Sequence, residues 1–538
     1  MSAMSALASS APPCAARRPS SATAATSRAP PPLRRHRDGR SSSSSSSSLS
    51  ARAIPTPSTS SSSAPTTSAN DDARTQADFD ALWTWLEREG ADVASVSPAL
   101  VDATPGGRGW GLVATRDVGG GDAAIVVPRA LWMTKETAFA SKIGTALDPE
   151  TTPPWCALAL QLLHEKSLGD DSRWAAYIRC LPRVEALDAP LFWSSEELAE
   201  LAGTQLLANA AGYDSYVRGT HAALKETTFK EHPALFGDAG DDDGGGAFSE
   251  REFLWAFGVL RSRALPPVDQ GESIALIPGI DMANHDGLCS QTWQLNNGGI
   301  AAVFGGRGGA DGGGSVLLRV EKTKAGGAKR GEEIRCNYGP ANIDSQFALD
   351  YGFVDAFCSR PGYVLGPLSI PEDDVNAFDK MDVLSVAGLK ESPAFTIRAF
   401  EDPPPEMVVF MRLLNLKNDD AFLLEAIFRQ ECWALISDPV SPDNEADAGC
   451  EEALGAYATK IEDDRGVADD ADASPRLRLA ARVRMGEKQA LEEVLGYYAS
   501  VEARLDRTEY YQERRLRSLN LLDRDGNSTY DPFQDTMA

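Results

Sequence analysis

The 538-residue chain carries 52 Lys and Arg against 78 Asp and Glu, a net charge of −26, with 42% hydrophobic residues. So acidic a balance argues against general nucleic-acid binding, which needs cations for phosphates, and no apolar run approaches the roughly 20 residues of a membrane-spanning helix. The length allows two or three domains with proper cores, and cysteines scattered without a C-x-x-C pair argue against a zinc site or a disulfide framework.

Residues 1–70 are rich in Ser, Ala, Pro and Thr, include an octaserine run from Ser41 to Ser48, and hold eight arginines against one acid, Asp38. Such a segment builds no core. Its composition fits an organelle transit peptide, a plain disordered tail being the other reading. Without it the chain keeps 44 basic (52 − 8) and 77 acidic (78 − 1) side chains, a charge near −33. Globular sequence begins near Asp78, where Phe79, Leu82, Trp83 and Leu86 recur at helical spacing. A glycine-rich turn is expected at 106–110, then a strand at 111–114 with its partner at 123–127, ended by Pro128. From about 153 to 257 the pattern is helical, with amphipathic stretches at 155–163 and 196–210, the second capped by Ser194 or Ser195 ahead of Glu197. The run at 237–246 reads as a flexible surface excursion.

The stretch 276–354 holds two motifs. In the first, a short buried strand at 274–277 is stopped by Pro278 and Gly279, and the polar residues Asp281, Asn284 and His285 follow just past its end, where ligands commonly bind. A lone Asn-His pair is otherwise a turn or a satisfied core histidine. After a glycine-rich hairpin at 296–314, the second motif reads as a strand at 332–337, a turn at Tyr338, Gly339 and Pro340, and a helical turn at 344–349 that delivers Tyr351. Two tyrosines thus flank one turn–helix unit. A short strand at 363–365 follows. Long helices come next, at 420–436 with Leu424, Ile427, Phe428 and Leu435 on one face and at 485–519 with Leu491, Val494, Leu495, Tyr498 and Leu505 on another.

Pro278, Asp281, Asn284 and His285, followed by Gly331-Glu332-Glu333-Ile334, Asn337-Tyr338-Gly339, Asn342 and Tyr351-Gly352-Phe353, resemble the SET domain of protein lysine methyltransferases. The subgroup resembled is that of the plastid Rubisco large-subunit methyltransferase. The stretches 109–117 and 255–263 resemble its first cofactor loop and central helix, and 420–425 and 509–516 its C-terminal domain, so the likeness covers roughly 76–525.

The resemblance implies an α+β fold: a SET domain of short β-sheets at 76–365 with a helical insertion at about 141–258, then an all-α substrate-binding domain at 366–525 and a tail at 526–538. It implies S-adenosylmethionine as cofactor, held by Arg108, Gly109, Trp110, Arg263, Asn284 and His285. Tyr338 takes the place of the catalytic tyrosine, with Tyr351, Arg263 and Asp281 also on the substrate side; a packing role for Tyr351 and a plain salt bridge for Asp281 stay open. At an ordinary pKa of about 10 a tyrosine is a poor base, so Tyr338 is expected to position the amine. Arg108 and Trp110 depart from the subgroup's acid and leucine. The expected activity is lysine N-methylation of a stromal protein, the Rubisco large subunit or fructose-bisphosphate aldolase, by a monomer that binds neither nucleic acid nor membrane. The alternatives are a non-catalytic SET-like binding module and methylation of another residue such as histidine.

Overall fold

A computed structural model describes residues 74–103, 107–237, 246–265, 274–289, 293–296, 314–320, 327–355, 358–417, 421–430, 436, 449–504, 517, 521–525 and 527. The expected transit peptide, the excursion at 238–245, the glycine-rich loop at 297–313 and the motif at 509–516 lie outside them.

The first helix, Gln76–Arg88, starts where the Thr75 hydroxyl accepts the Asp78 N–H and the Asp78 carboxylate accepts the Thr75 N–H at 2.8 Å. These two bonds satisfy donors that a helix start leaves orphaned. Phe79, Leu82, Trp83 and Leu86 fall on its buried face, as their spacing requires. The strand expected at 111–114 is longer, Gly107–Ala114, so residues 108–110 are strand and not turn. Its partners are Val96–Ala103 on one edge and Glu333–Ile334 on the other, all antiparallel. The expected partner, Ala123–Pro128, pairs instead with Ser315–Arg319, which pairs with Trp293–Asn296. The misassignment has a physical cause: Pro98 interrupts the strand pattern of 96–103, and a proline is tolerated there because that strand is an edge.

Helices between these sheets build the insertion. Pro154–Ser167 packs on Glu250–Arg263. The single helix expected at 196–210 is two, Ser195–Ala199 and Gln205–Leu224. Between them Gly203 takes φ +86°, where a β-carbon would stand 2.7 Å from the Ala456 carbonyl oxygen, and Thr204 caps the second helix through the Leu207 N–H at 3.1 Å. Glycine is the residue that such a backbone and such a contact allow.

In the C-terminal region Gly362–Leu365 pairs with Phe395–Arg398, and helices Ala377–Val386, Pro405–Asn415, Phe422–Gln430, Ile461–Asp469 and Pro475–Glu502 follow or flank that pair. Leu424 and Ile427 are buried as expected, but Phe428 is 43% exposed and leaves the buried face. The last helix starts ten residues before its expected start, and its buried face carries charge: Arg484 and Lys488 reach Asp464 at 2.8 and 2.6 Å. An apolar periodicity cannot register such a triad. A small cluster of Leu201, Leu206, Ala348, Leu349, Ala480 and Val483 ties the insertion, the helix Asp344–Tyr351 and this last helix together.

Glu487 lies at the same junction, 1% exposed. Its carboxylate accepts the Gln205 N–H at 3.1 Å and the Tyr457 hydroxyl at 2.6 Å. Burial pushes its carboxyl up to about 7 from an ordinary 4.5, against those hydrogen bonds. The folded chain therefore keeps this proton to a higher pH than the unfolded chain does. Its contribution is intact below pH 4.5 and is lost as pH rises to about 7. Glu487→Gln should raise stability by roughly 1–3 kcal/mol at pH 8 and by much less at pH 5. Thermal melts at both pH values check this; equal shifts would show that desolvation does not govern the group.

Candidate active site

The two sequence motifs meet through the backbone. Past the strand Ala275–Leu276, Gly279 turns the chain at φ +87° into a single 3-10 turn, Ile280–Met282. The extended residues that follow lie parallel to 335–337: the Cys336 N–H donates to the Asn284 carbonyl at 2.9 Å and the Asp286 N–H to the Cys336 carbonyl at 3.0 Å. His285 then locks the crossing. Its Nδ1 accepts the Tyr338 N–H at 3.2 Å, and its Nε2 stands 3.3 Å from the Asp355 carboxylate. Burial depresses the imidazole pKa against the pull of Asp355. A neutral ring with its proton on Nε2 satisfies both contacts, so neither nitrogen is free to act as a base.

Asn284 joins a third segment to these two. Its Nδ2 donates to the Trp110 carbonyl at 3.2 Å and to Glu333 Oε1 at 2.8 Å. Trp110 is fixed by a stack on Phe79, ring centroids 4.0 Å apart. Gly109 belongs to the same strand. Arg108 pairs in register with Asp102, and its side chain lies outside the described residues. Gly111 makes this approach possible, because a β-carbon there would meet Glu333 Oε1 at 2.6 Å and Asn284 Nδ2 at 2.7 Å.

Tyr338 donates its hydroxyl proton to the Ala283 carbonyl at 2.9 Å. Burial drives its pKa well up, so the hydroxyl stays protonated at any physiological pH. Tyr351 lies beside it, ring centroids 4.8 Å apart, with its own pKa raised by burial and then by Asp350. Phe347, Phe353 and His285 complete an aromatic cluster, His285 to Phe347 being 4.8 Å. The helix Asp344–Tyr351 that presents Tyr351 is clamped by Arg261, whose Nε and Nη2 reach the Asp350 carboxylate at 2.8 and 2.7 Å. Tyr213 donates to the same carboxylate at 3.3 Å. Sequence reasoning passed over Arg261, Asp350 and Tyr213. The available signal was an arginine two residues before Arg263 and an acid adjoining Tyr351.

Arg263 Nη1 donates to the Asp281 carbonyl at 3.0 Å and stands 3.7 Å from its carboxylate. That side chain is wholly buried. Its oxygens accept the Tyr177 hydroxyl at 2.7 Å and the Gly279 N–H at 3.1 Å. Burial raises the Asp281 pKa, opposed by Arg263 and Tyr177. The salt bridge left open by the sequence is thus present, and the carboxylate faces Arg263 and Tyr177. No sequence signal pointed to Tyr177, which enters from the insertion.

Trp110, Arg263, Asn284, His285, Tyr338 and Tyr351 all line one cavity of about 310 Å³. Asp281 lines it as well, and Gly109 lies on the strand that carries Trp110. The volume falls in the range of small-ligand sites. A strand carbonyl, an amide and a guanidinium on one side of an aromatic cluster suit a zwitterionic nucleoside, so the residues present fit S-adenosylmethionine.

Short antiparallel sheets, a helical insertion and two crossed motifs ending in a paired tyrosine define a SET-type methyltransferase. Residues 371–491 match the family model described as Rubisco LSMT substrate-binding. The chloroplastic fructose-bisphosphate aldolase-lysine N-methyltransferase of Arabidopsis thaliana is 34% identical over 456 residues, 83% of this chain and 88% of that protein. The chloroplastic Rubisco large-subunit N-methyltransferase of Nicotiana tabacum is 33% identical over 83% of this chain and 87% of its own length. A crystal structure of the SET domain of LSMT bound to lysine and AdoHcy superposes with a TM-score of 0.69 at 32% identity, covering 83% of this chain and 96% of that one. The chain belongs to the SET-domain protein-lysine methyltransferases of the Rubisco large-subunit methyltransferase type. It is an S-adenosylmethionine-dependent protein-lysine N-methyltransferase.

The close approach at Gly111 is directly testable. Gly111→Ala should destabilise the fold by about 1–3 kcal/mol and weaken S-adenosylmethionine binding together with it. Melting temperature and calorimetric titration read the two effects; an unchanged melt would mean that Asn284 and Glu333 move aside freely.

Proposed function

We propose that this enzyme methylates a lysine of a folded protein of the chloroplast stroma, with the Rubisco large subunit or fructose-bisphosphate aldolase as acceptor. The convergence of Trp110, Asn284, His285 and Tyr338 on one cavity carries the reading. Support for the acceptors comes from the family model over 371–491 and from the acceptors named for the two plant relatives. The names of those relatives also support a plastid location, and the arginine- and serine-rich residues 1–70 are in keeping with import into the stroma. The division of labour follows: 76–365, with an insertion at 141–258, performs the chemistry, and 366–525 holds the acceptor. A net charge of −26 favours a lysine-bearing protein over nucleic acid as partner, and the enzyme works as a monomer.

When bound, S-adenosylmethionine supplies a methyl group made electrophilic by its sulfonium. The backbone of Gly109 and Trp110, the Asn284 amide, the His285 segment and Arg263 would hold it, with Arg108 contributing through its backbone. Tyr338 keeps its proton and acts by position, its hydroxyl oxygen and the Ala283 carbonyl being acceptors for a cation and for an amine N–H. Tyr351 packs beside Tyr338, and the lysine stem runs along the aromatic wall that the two rings share. Asp281 serves through Arg263, by fixing that guanidinium. The acceptor amine loses its proton to solvent before transfer, since neither tyrosine nor His285 is a usable base.

Radiolabelled methyl transfer by residues 71–538 into purified Rubisco and aldolase tests the reading, with mass spectrometry of the labelled site. Label on a lysine is expected; label on a histidine would replace the residue class, and cofactor binding without label on either protein or on stromal extract would leave a binding module. Tyr338→Phe should cut turnover roughly 10²-fold with cofactor affinity kept, and undiminished turnover would remove Tyr338 from the mechanism. Asn284→Ala should instead weaken cofactor binding by about tenfold or more, the loss of a bond between buried polar groups. A titration that matches wild type would refute that role.

A further inference from the structure

The turn that carries Tyr338 is fastened from below by two arginines. Arg360 Nη1 donates to the Gly339 carbonyl at 3.1 Å and its Nη2 to the Gly287 carbonyl at 3.3 Å. Arg398 Nη2 donates to the Ala341 carbonyl at 2.8 Å. These bonds tie three surface segments to the turn that carries Tyr338: Gly287 and its neighbour Leu288, the exposed residues Pro340 and Ala341, and the turn after Arg398. Two large apolar side chains stand out on these segments. Leu288 is 76% exposed and Phe400 is 73% exposed.

Phe400 is unusual in backbone as well. The Glu401 N–H donates to the Arg398 carbonyl at 3.4 Å, closing a β-turn whose third residue is Phe400 with φ +66°. That position favours glycine or asparagine, and a bulky aromatic side chain there is strained. Among the described non-glycine residues it is the one with positive φ. A phenylalanine both strained and turned to solvent gains nothing for the fold. Backbone strain of this kind clusters at ligand clamps and other functional segments. Glu401 and Asp402, exposed beside Phe400, give this surface an acidic flank.

We propose that Phe400 and Leu288 form the docking rim for the acceptor protein, seating on an apolar patch that adjoins the target lysine and carries further cations. This deepens the proposed function and rests on it. A lysine side chain spans only about 6 Å, roughly two residues of extended chain. A folded acceptor whose lysine reaches the Tyr338–Tyr351 cavity therefore lays its surface on the exposed segments fastened to the Tyr338 turn. The acidic flank selects the basic surroundings of such a lysine, and the aromatic tip supplies the anchor that interfaces concentrate in a few side chains.

The test replaces Phe400 with the residue that its backbone prefers. Phe400→Asn in residues 71–538 should leave the melting temperature unchanged or raise it, and raise the KM for Rubisco or aldolase roughly fivefold or more. The kcat at saturating acceptor, and turnover of a short lysine peptide, should stay at wild-type values. Leu288→Ser, at a largely solvated side chain, should do the same to a smaller degree. A fall in melting temperature for Phe400→Asn, with KM unchanged, would overturn the proposal and make Phe400 a structural residue. So would equal losses on protein and peptide. Direct binding of acceptor without S-adenosylmethionine separates the two readings: unaltered affinity of both variants overturns the rim alone, while an enzyme that binds an acceptor but never labels it overturns the activity alone.

Discussion

Two backbone hydrogen bonds at Cys336, one to Asn284 and one from Asp286, hold together segments some fifty residues apart in the chain. Everything chemical in the protein depends on that crossing. It sets His285 where its ring can receive the Tyr338 N–H and face Asp355, and it sets Asn284 where its amide can hold the Trp110 strand. Closing so long a loop costs conformational entropy that grows only slowly with length, so a few well-buried bonds suffice to keep it closed. Buried amides left unpaired would each cost about 1–3 kcal/mol, which gives the crossing its specificity.

Around it the protein uses charge to fix geometry more than to do chemistry. Arg261 fixes Asp350 and with it the end of the Tyr351 helix, Arg263 and Tyr177 share Asp281, and Arg360 and Arg398 fasten the turn beyond Tyr338. Arg261 grips one carboxylate through two nitrogens and Arg360 spans two carbonyls, roles that lysine would fill poorly. The two tyrosines of the cavity keep their protons and stay uncharged. That division suits transfer of a methyl group from a cation, where position and exclusion of water matter and a strong base does not.

The C-terminal helices are joined to the catalytic part through a similar economy of buried polar groups. Asp464 collects Arg484 and Lys488, and Glu487 caps the long insertion helix from the next turn of the same helix. Helix Pro475–Glu502 thus meets the insertion and the Tyr351 helix in one apolar cluster. A protein acceptor seated on the C-terminal region would be held at a fixed distance from the cavity by these contacts.

Sequence alone determined the local elements whose cause is local. The spacing of Phe79, Leu82, Trp83 and Leu86 marked the first helix, Ser194 with Glu197 its capped neighbour in the insertion, and Pro278-Gly279 and Tyr338-Gly339-Pro340 the two turns. The order of those motifs, matched to a family, also identified the fold class, the cofactor and the site residues that line the cavity. Tertiary structure decided what no local pattern encodes. It chose Val96–Ala103 over Ala123–Pro128 as the strand beside Trp110, it turned Asp281 from an open carboxylate into a buried partner of Arg263 and Tyr177, and it put Phe428 in solvent. It also recruited Arg261, Asp350, Asp355 and Arg360 to the site. The reason is the same throughout: periodicity and turn chemistry report the energetics of neighbours in the chain, whereas strand partners and buried charges are selected by desolvation and by groups that meet only after the chain has crossed itself.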